Sequence, residues 1–186
     1  MLHRVVSAAA FIVTLSMCVA ASAAGPVDLW LDVPYVPQPK DGCGAASIAM
    51  VMQYWEREQG QAVQPDAELA QISPAVYSAP ARGVYASAMV RYFQQHGFRA
   101  FAFAGNLADI QQQLAKGRPL IAALKPDTGS SLHYVVIVGL RQPQQIVLVN
   151  DPAQRKLLKM DQSQLEREWN AAGRWILLAV PEPSER

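Results

Sequence analysis

The stretch "KDGCGAASIAMVMQYW", residues 40–55, sets one cysteine between two glycines and then runs into an apolar, alanine-rich segment. Between Gly44 and Gly60 no glycine or proline interrupts the chain, so the run is expected to form a helix starting at or near Cys43. Its first half is apolar on nearly every side, which predicts a buried helix. Glu56, Arg57 and Glu58 mark its exit to solvent. A helix N-terminus offers unpaired N–H groups and a positive dipole end, and both stabilise a thiolate. Cys43 is therefore a candidate nucleophile. Gly44, with no side chain, is expected to let a substrate backbone come close.

The chain start explains why this thiol stands alone. Arg4, an apolar run from Val5 to about Ala20 and the small residues Ala21-Ser22-Ala23 have the layout of a secretory signal peptide, cut near Ala24. Residues 1–23 are expected to be a leader, residues 24–181 one domain and residues 182–186 a polar tail. The other cysteine, Cys18, leaves with the leader, so the mature chain cannot form an internal disulfide. Losing Arg4 from the 16 basic residues leaves them equal in number to the 15 acidic ones. A neutral chain with no basic stripe points away from nucleic acid. No membrane span is expected after leader removal. The expected location is the periplasm or the exterior.

Helical patterns follow over residues 64–72, 84–97 and 106–117, the last with Asn106 as cap, and over residues 161–173 with Asp161 as cap. "SPAVYSAPARG", residues 73–83, is expected to be a loop. Residues 98–105, 118–126, 132–140, 145–152 and 174–180 read as strands, and "RKLLKM" at 155–160 as one more. Helices first and a sheet of mostly consecutive strands afterwards predict an α+β fold.

A base must accompany the thiol. Of the two histidines left after the leader, His96 sits at a helix end, where it complements the dipole. His133 opens an apolar strand and is expected at a sheet rim. The strands over 133–140 and 146–151 are joined by a short polar turn. Pairing them with Leu140 near Ile146 brings His133 close to Asp151, and an even register shift keeps both on one face. A one-residue slip puts Asn150 there instead, and an amide can also orient an imidazole. Gln38, five residues before Cys43, is a candidate second donor for an oxyanion beside the Cys43 N–H.

The segments "VPYVPQPKDGCGAASIAMVMQYW", "GRPLIAALKP", "LHYVVIVGL" and "VLVNDPA" together resemble the bacteriocin-processing, double-glycine type cysteine peptidases of the papain-like superfamily. The resemblance runs from about Leu29 to Val180. It implies a papain-like fold, with a central nucleophile helix packed on an antiparallel sheet. It also implies roles: Cys43 as nucleophile, His133 as general base and acid, Asp151 as its orienter and Gln38 for the oxyanion. In that superfamily the glutamine commonly stands six residues before the cysteine; here Pro37 holds that place.

No paired-histidine metal motif, phosphate loop or dinucleotide fingerprint occurs, so neither a metal nor a cofactor is expected. The expected function is an exported thiol peptidase that trims a leader or pro-segment of a secreted polypeptide. A dedicated secretion or matrix-assembly system is the candidate partner. The alternatives are a cell-wall amidase or transpeptidase on the same scaffold, and a catalytically silent peptide-binding module.

Overall fold

The apolar run after Cys43 becomes the axis of the molecule. Helix α1 (Cys43–Glu58) is buried without interruption from Gly44 to Met52. The computed structural model describes residues 28–127 and 131–183. The expected leader, with Arg4, Cys18 and the cut near Ala24, lies outside the described residues, as do residues 184–186 of the tail.

Numbered in chain order, the strands are β1 (Asp28–Trp30), β2 (Tyr77–Ser78), β3 (Gly83–Val84), β4 (Phe98–Ala104), β5 (Leu120–Leu124), β6 (His133–Arg141), β7 (Ile146–Asp151), β8 (Arg155–Asp161) and β9 (Trp175–Pro181). The further helices are α2 (Leu69–Val76), α3 (Ala86–Gln95), α4 (Leu107–Ala115) and α5 (Gln162–Ala171). Seven strands make one sheet in the order β4-β9-β5-β6-β7-β8, with β1 also on β6. Every pairing in it is antiparallel. The apolar sequence of β6 fits its place: β5 and β1 share one of its edges and β7 takes the other.

Each face of the sheet carries its own core. On one, Ile48 and Met52 of α1 and Phe93 of α3 pack with Val136, Val138 and Leu148. On the other, Ile110 of α4 and Leu165 and Trp169 of α5 pack with Val135, Ile137 and Val149. Among the described residues, no helix is long and apolar enough to cross a membrane.

The expected α+β class and the helix packed on the sheet are found. Three local expectations change. Residues 73–83 are not a plain loop: α2 continues through Pro74 to Val76 because Ile72 and Val76 are buried against the core, and β2 and β3 then pair as a hairpin. Asn106 caps α4 with a reciprocal bond to Asp109, but Asp161 makes no side-chain cap on α5. The strand order is also less sequential than expected. The last strand, β9, inserts between β4 and β5, since its alternate residues Ile176 and Leu177 each have a core to enter.

Candidate active site

Cys43 is the first residue of α1. The residue before it, Gly42, provides no side-chain cap, so the opening N–H groups of the helix stay free for other acceptors. Gly44 has a different task from the one expected. A Cβ on it would stand 2.7 Å from Cβ of Val84, so its missing side chain lets β3, not a substrate, press against the helix start. Cys43 lies in a cleft of about 550 Å³ together with Gln38, Gly83, Tyr85, Leu132 and His133.

His133 begins β6 and reaches two partners. Its Nε2 lies 2.8 Å from Oδ1 of Asp151, and its ring faces the Cys43 thiol in the cleft that both line. With Nε2 on Asp151, the nitrogen left for the sulfur is Nδ1. Burial works against a charged imidazole here, but the bonds to Asp151 and Cys43 outweigh it and hold the His133 pKa up at about 9. Burial likewise disfavours the thiolate, yet the His133 bond and backbone bonds from Tyr134 and Gly44 bring the Cys43 thiol below its ordinary range. The pair thus favours thiolate and imidazolium together.

Asp151 is 4 % exposed. Oδ1 also accepts from the N–H of Ala153 at 2.9 Å, and Oδ2 accepts from Nε2 of Gln154 at 2.7 Å. Burial pushes this carboxyl up, but His133, Ala153 and Gln154 together hold it below its usual range.

The hairpin delivers Asp151 by an irregular route. At its turn end, Arg141 faces Ile146, Leu140 faces Val147 and Gly139 faces Leu148. A regular ladder continued from there would put Asn150 on the face of His133. Instead the register shifts between Ile137 and Gly139, so Val149 faces Ile137 and Asn150 faces Val136. Val138 is the extra residue of a β-bulge. One residue beyond that last pair, Asp151 falls on the other face, the one that His133 shares. Asn150 turns to the α1 side and is fully buried. There its Nδ2 donates to Val33 O at 3.2 Å, and its Oδ1 accepts from the N–H of Leu157 at 3.0 Å. Asn150 is a clamp between segments, not the partner of His133.

The sequence model of the Peptidase_C39 like family matches residues 30–176. The chain belongs to that family. Three solved structures show the same fold. A C39-like peptidase from Bacillus anthracis is 19 % identical, has a TM-score of 0.65, and covers 85 % of this chain and 100 % of its own. The peptidase domain of Streptococcus ComA, a bi-functional ABC transporter involved in a quorum sensing pathway, is 20 % identical with a TM-score of 0.61, over 79 % of this chain and 97 % of that one. A double glycine motif protease from an AMS/PCAT transporter, in complex with the leader peptide, is 21 % identical with a TM-score of 0.60, over 83 % and 99 %. A search of curated proteins finds no match. Family membership makes the chain a cysteine peptidase of the C39-like type.

In this C39-like chain Gln38 does reach the cleft of Cys43, although it stands five residues upstream. Its N–H donates to Pro152 O at 2.9 Å, which fixes the segment before α1 to the end of β7. Among the described residues its buried Oε1 has no hydrogen-bond partner. His96 lines other cavities and stacks on Tyr92 at 4.1 Å, apart from the cleft. Sequence reasoning missed Gln154 and Tyr35. Tyr35 Oη donates to Asp151 O at 3.2 Å. Gln154 stands three residues after Asp151, within reach of a side chain folding back over a turn, and that spacing is the signal that could have found it.

Proposed function

We propose that the chain is an exported cysteine peptidase that hydrolyses peptide bonds through Cys43, His133 and Asp151, with Gln38 at the oxyanion. One observation carries this reading: a single imidazole bonds a buried carboxylate and shares a cleft with the thiol at a helix N-terminus, whose pKa it lowers. In the forward step the Cys43 thiolate attacks the scissile carbonyl carbon. The oxygen gains negative charge and is received by the Cys43 N–H and the Gln38 side-chain amide. His133, as imidazolium, gives its proton to the departing amine. The C–N bond breaks and a thioester remains on Cys43. His133, now neutral, takes a proton from water as that water attacks the thioester. The acid product leaves and the thiolate–imidazolium pair returns. Asp151 keeps the proton-bearing Nε2 directed away from the sulfur throughout.

The substrate class follows from family and leader. Relatives include a double glycine motif protease bound to a leader peptide, and residues 1–23 read as a secretory signal. Together they support trimming of a leader or pro-segment from a secreted or periplasmic polypeptide, in company with a secretion or matrix-assembly system.

The test combines labelling with cleavage. Cys43 should react with iodoacetamide faster than a free thiol at neutral pH, and His133→Ala should remove the excess. The mature chain should cut peptides holding a glycine pair and leave peptidoglycan intact. Labelling at the free-thiol rate, unchanged by His133→Ala, would overturn the enzyme mechanism. Release of wall fragments without peptide cleavage would overturn the substrate class.

A further inference from the structure

His133 borders two cavities. One is the Cys43 cleft; the other, of about 430 Å³, lies on the α5 side of the sheet. The start of β6 and the end of β7 form the saddle between them.

The chemistry orients a substrate across that saddle. The acyl part must stay on Cys43, whereas the amine must leave towards the group that protonates it, His133. Residues that follow the scissile bond therefore pass over His133 towards the α5 side. The floor of the second cavity there is apolar, built from Leu124, Val135, Val149, Leu158 and Met160.

Its charged lining leaves one carboxylate without a cation, since His133 is engaged with Asp151. Glu168 of α5 lines the cavity and is only 7 % exposed. Oε1 accepts from Nε2 of Gln164 at 2.9 Å. Among the described residues Oε2 has no hydrogen-bond partner, and no cation pairs with this carboxylate. Arg167 is engaged with Asp127 at 3.0 Å. Lys159 borders the cavity but pairs with Leu148, whose side chain belongs to the α1-side core, so the pleat sends the Lys159 side chain to the other face from Leu158 and Met160. A nearly buried carboxylate with one unpaired oxygen, above an apolar floor, calls for a long aliphatic stem ending in a cation.

We infer that this cavity is the subsite for one of the first two residues after the scissile bond, and that it selects lysine or arginine there through Glu168. The inference rests on the peptidase reading above and names a preference on the leaving-group side.

Matched peptides test it, identical except for lysine, norleucine or glutamate at each of those two positions. Norleucine keeps the stem and removes the charge. At one of the two positions kcat/KM for lysine should exceed that for norleucine roughly tenfold or more, as a hydrogen bond between charged groups would give. Glu168→Gln should erase the difference between lysine and norleucine. No lysine preference in the natural chain, or one that persists in Glu168→Gln, overturns the inference. A second measurement needs no catalysis. The Cys43→Ala chain should bind the free tripeptide amide Lys-Ala-Ala or Ala-Lys-Ala more tightly than its norleucine twin, followed by NMR titration, and Glu168→Gln should abolish the gap; equal binding overturns the subsite. Cleavage without lysine preference would sink the subsite and spare the peptidase. Lysine-selective binding with no cleavage of any peptide would do the reverse.

Discussion

His133 meets Asp151, and not Asn150, because one extra residue in β6 shifts the ladder before the strand reaches the site. Two adjacent polar residues of opposite facing thus take separate duties. One serves the imidazole; the other locks the segment before α1 to β7 and β8. Exchanging their roles should fail. Asp151→Asn is expected to lower kcat by roughly 10²- to 10⁴-fold, the range a general acid–base pair contributes. Adding Asn150→Asp to it should not restore activity, which peptide cleavage measures. Asn150→Ala alone should instead cost about 1–3 kcal/mol of stability, from partners left unpaired in the core, read by urea unfolding.

The pH profile of kcat/KM should fall on its alkaline side near the His133 value of about 9, where the imidazolium loses its proton. Asp151→Asn should move that fall to lower pH, because it removes the carboxylate that holds the proton on. Iodoacetamide labelling should keep its rate advantage down to pH values below the ordinary thiol range, since Cys43 is lowered. A profile unmoved by Asp151→Asn would show that the carboxylate does not govern His133.

Stability should carry the same signature. His133 is raised from 6.5 to about 9, so its contribution is full below 6.5 and fades as pH rises towards about 9. Asp151 is lowered from 3.8, so its contribution is full above 3.8 and fades as pH falls through its folded value. The loss of stability in His133→Ala should therefore be greatest between these limits, at about pH 4–6. Parallel melting curves of the two chains across pH measure it; a constant difference would count against the pairing.

Gly44→Ala should destabilise by about 1–3 kcal/mol, because the added methyl meets Val84 across a packed contact. Gly139→Ala should harm β1 instead, since its Cβ would lie 2.6 Å from Leu29 O. Thermal unfolding separates these from Gly83→Ala, where the nearest atom is 3.8 Å away and the fold should tolerate the change.

Gln154 donates to Asp151 Oδ2 at 2.7 Å, which on the proposed mechanism makes it a positioning residue. Gln154→Ala should reduce kcat several-fold, leave KM near its original value and shift the alkaline limb. A merely structural role would leave that limb in place.

The sequence made much of this legible, for physical reasons. An apolar run after a glycine-flanked cysteine can hardly be anything but a buried helix, and a histidine opening an apolar strand must sit at a sheet end. The choice between Asp151 and Asn150 was not legible. It depends on a bulge at Val138 within "YVVIVG", where every residue is apolar or glycine and no local pattern marks the extra one. The β2–β3 hairpin was hidden by Pro74, Ser78, Pro80 and Gly83, since turn residues outnumber strand formers there. By sequence alone Gly44 leaves room for a substrate, because nothing near it shows that Val84 arrives from another segment to fill the space.

The segment before α1 is sewn to the end of β7 by Tyr35 on Asp151 and Asn150 on Val33, contacts spanning 116 and 117 residues of chain. Such distant closures come late in folding, after the local helices and hairpins. The imidazole's carboxylate and the thiol's flanking segment are thereby fastened in one event. On the proposed mechanism, a chain still emerging or half folded holds Cys43 without His133 and Asp151 in place, so peptide cutting should arrive only with completion of the fold.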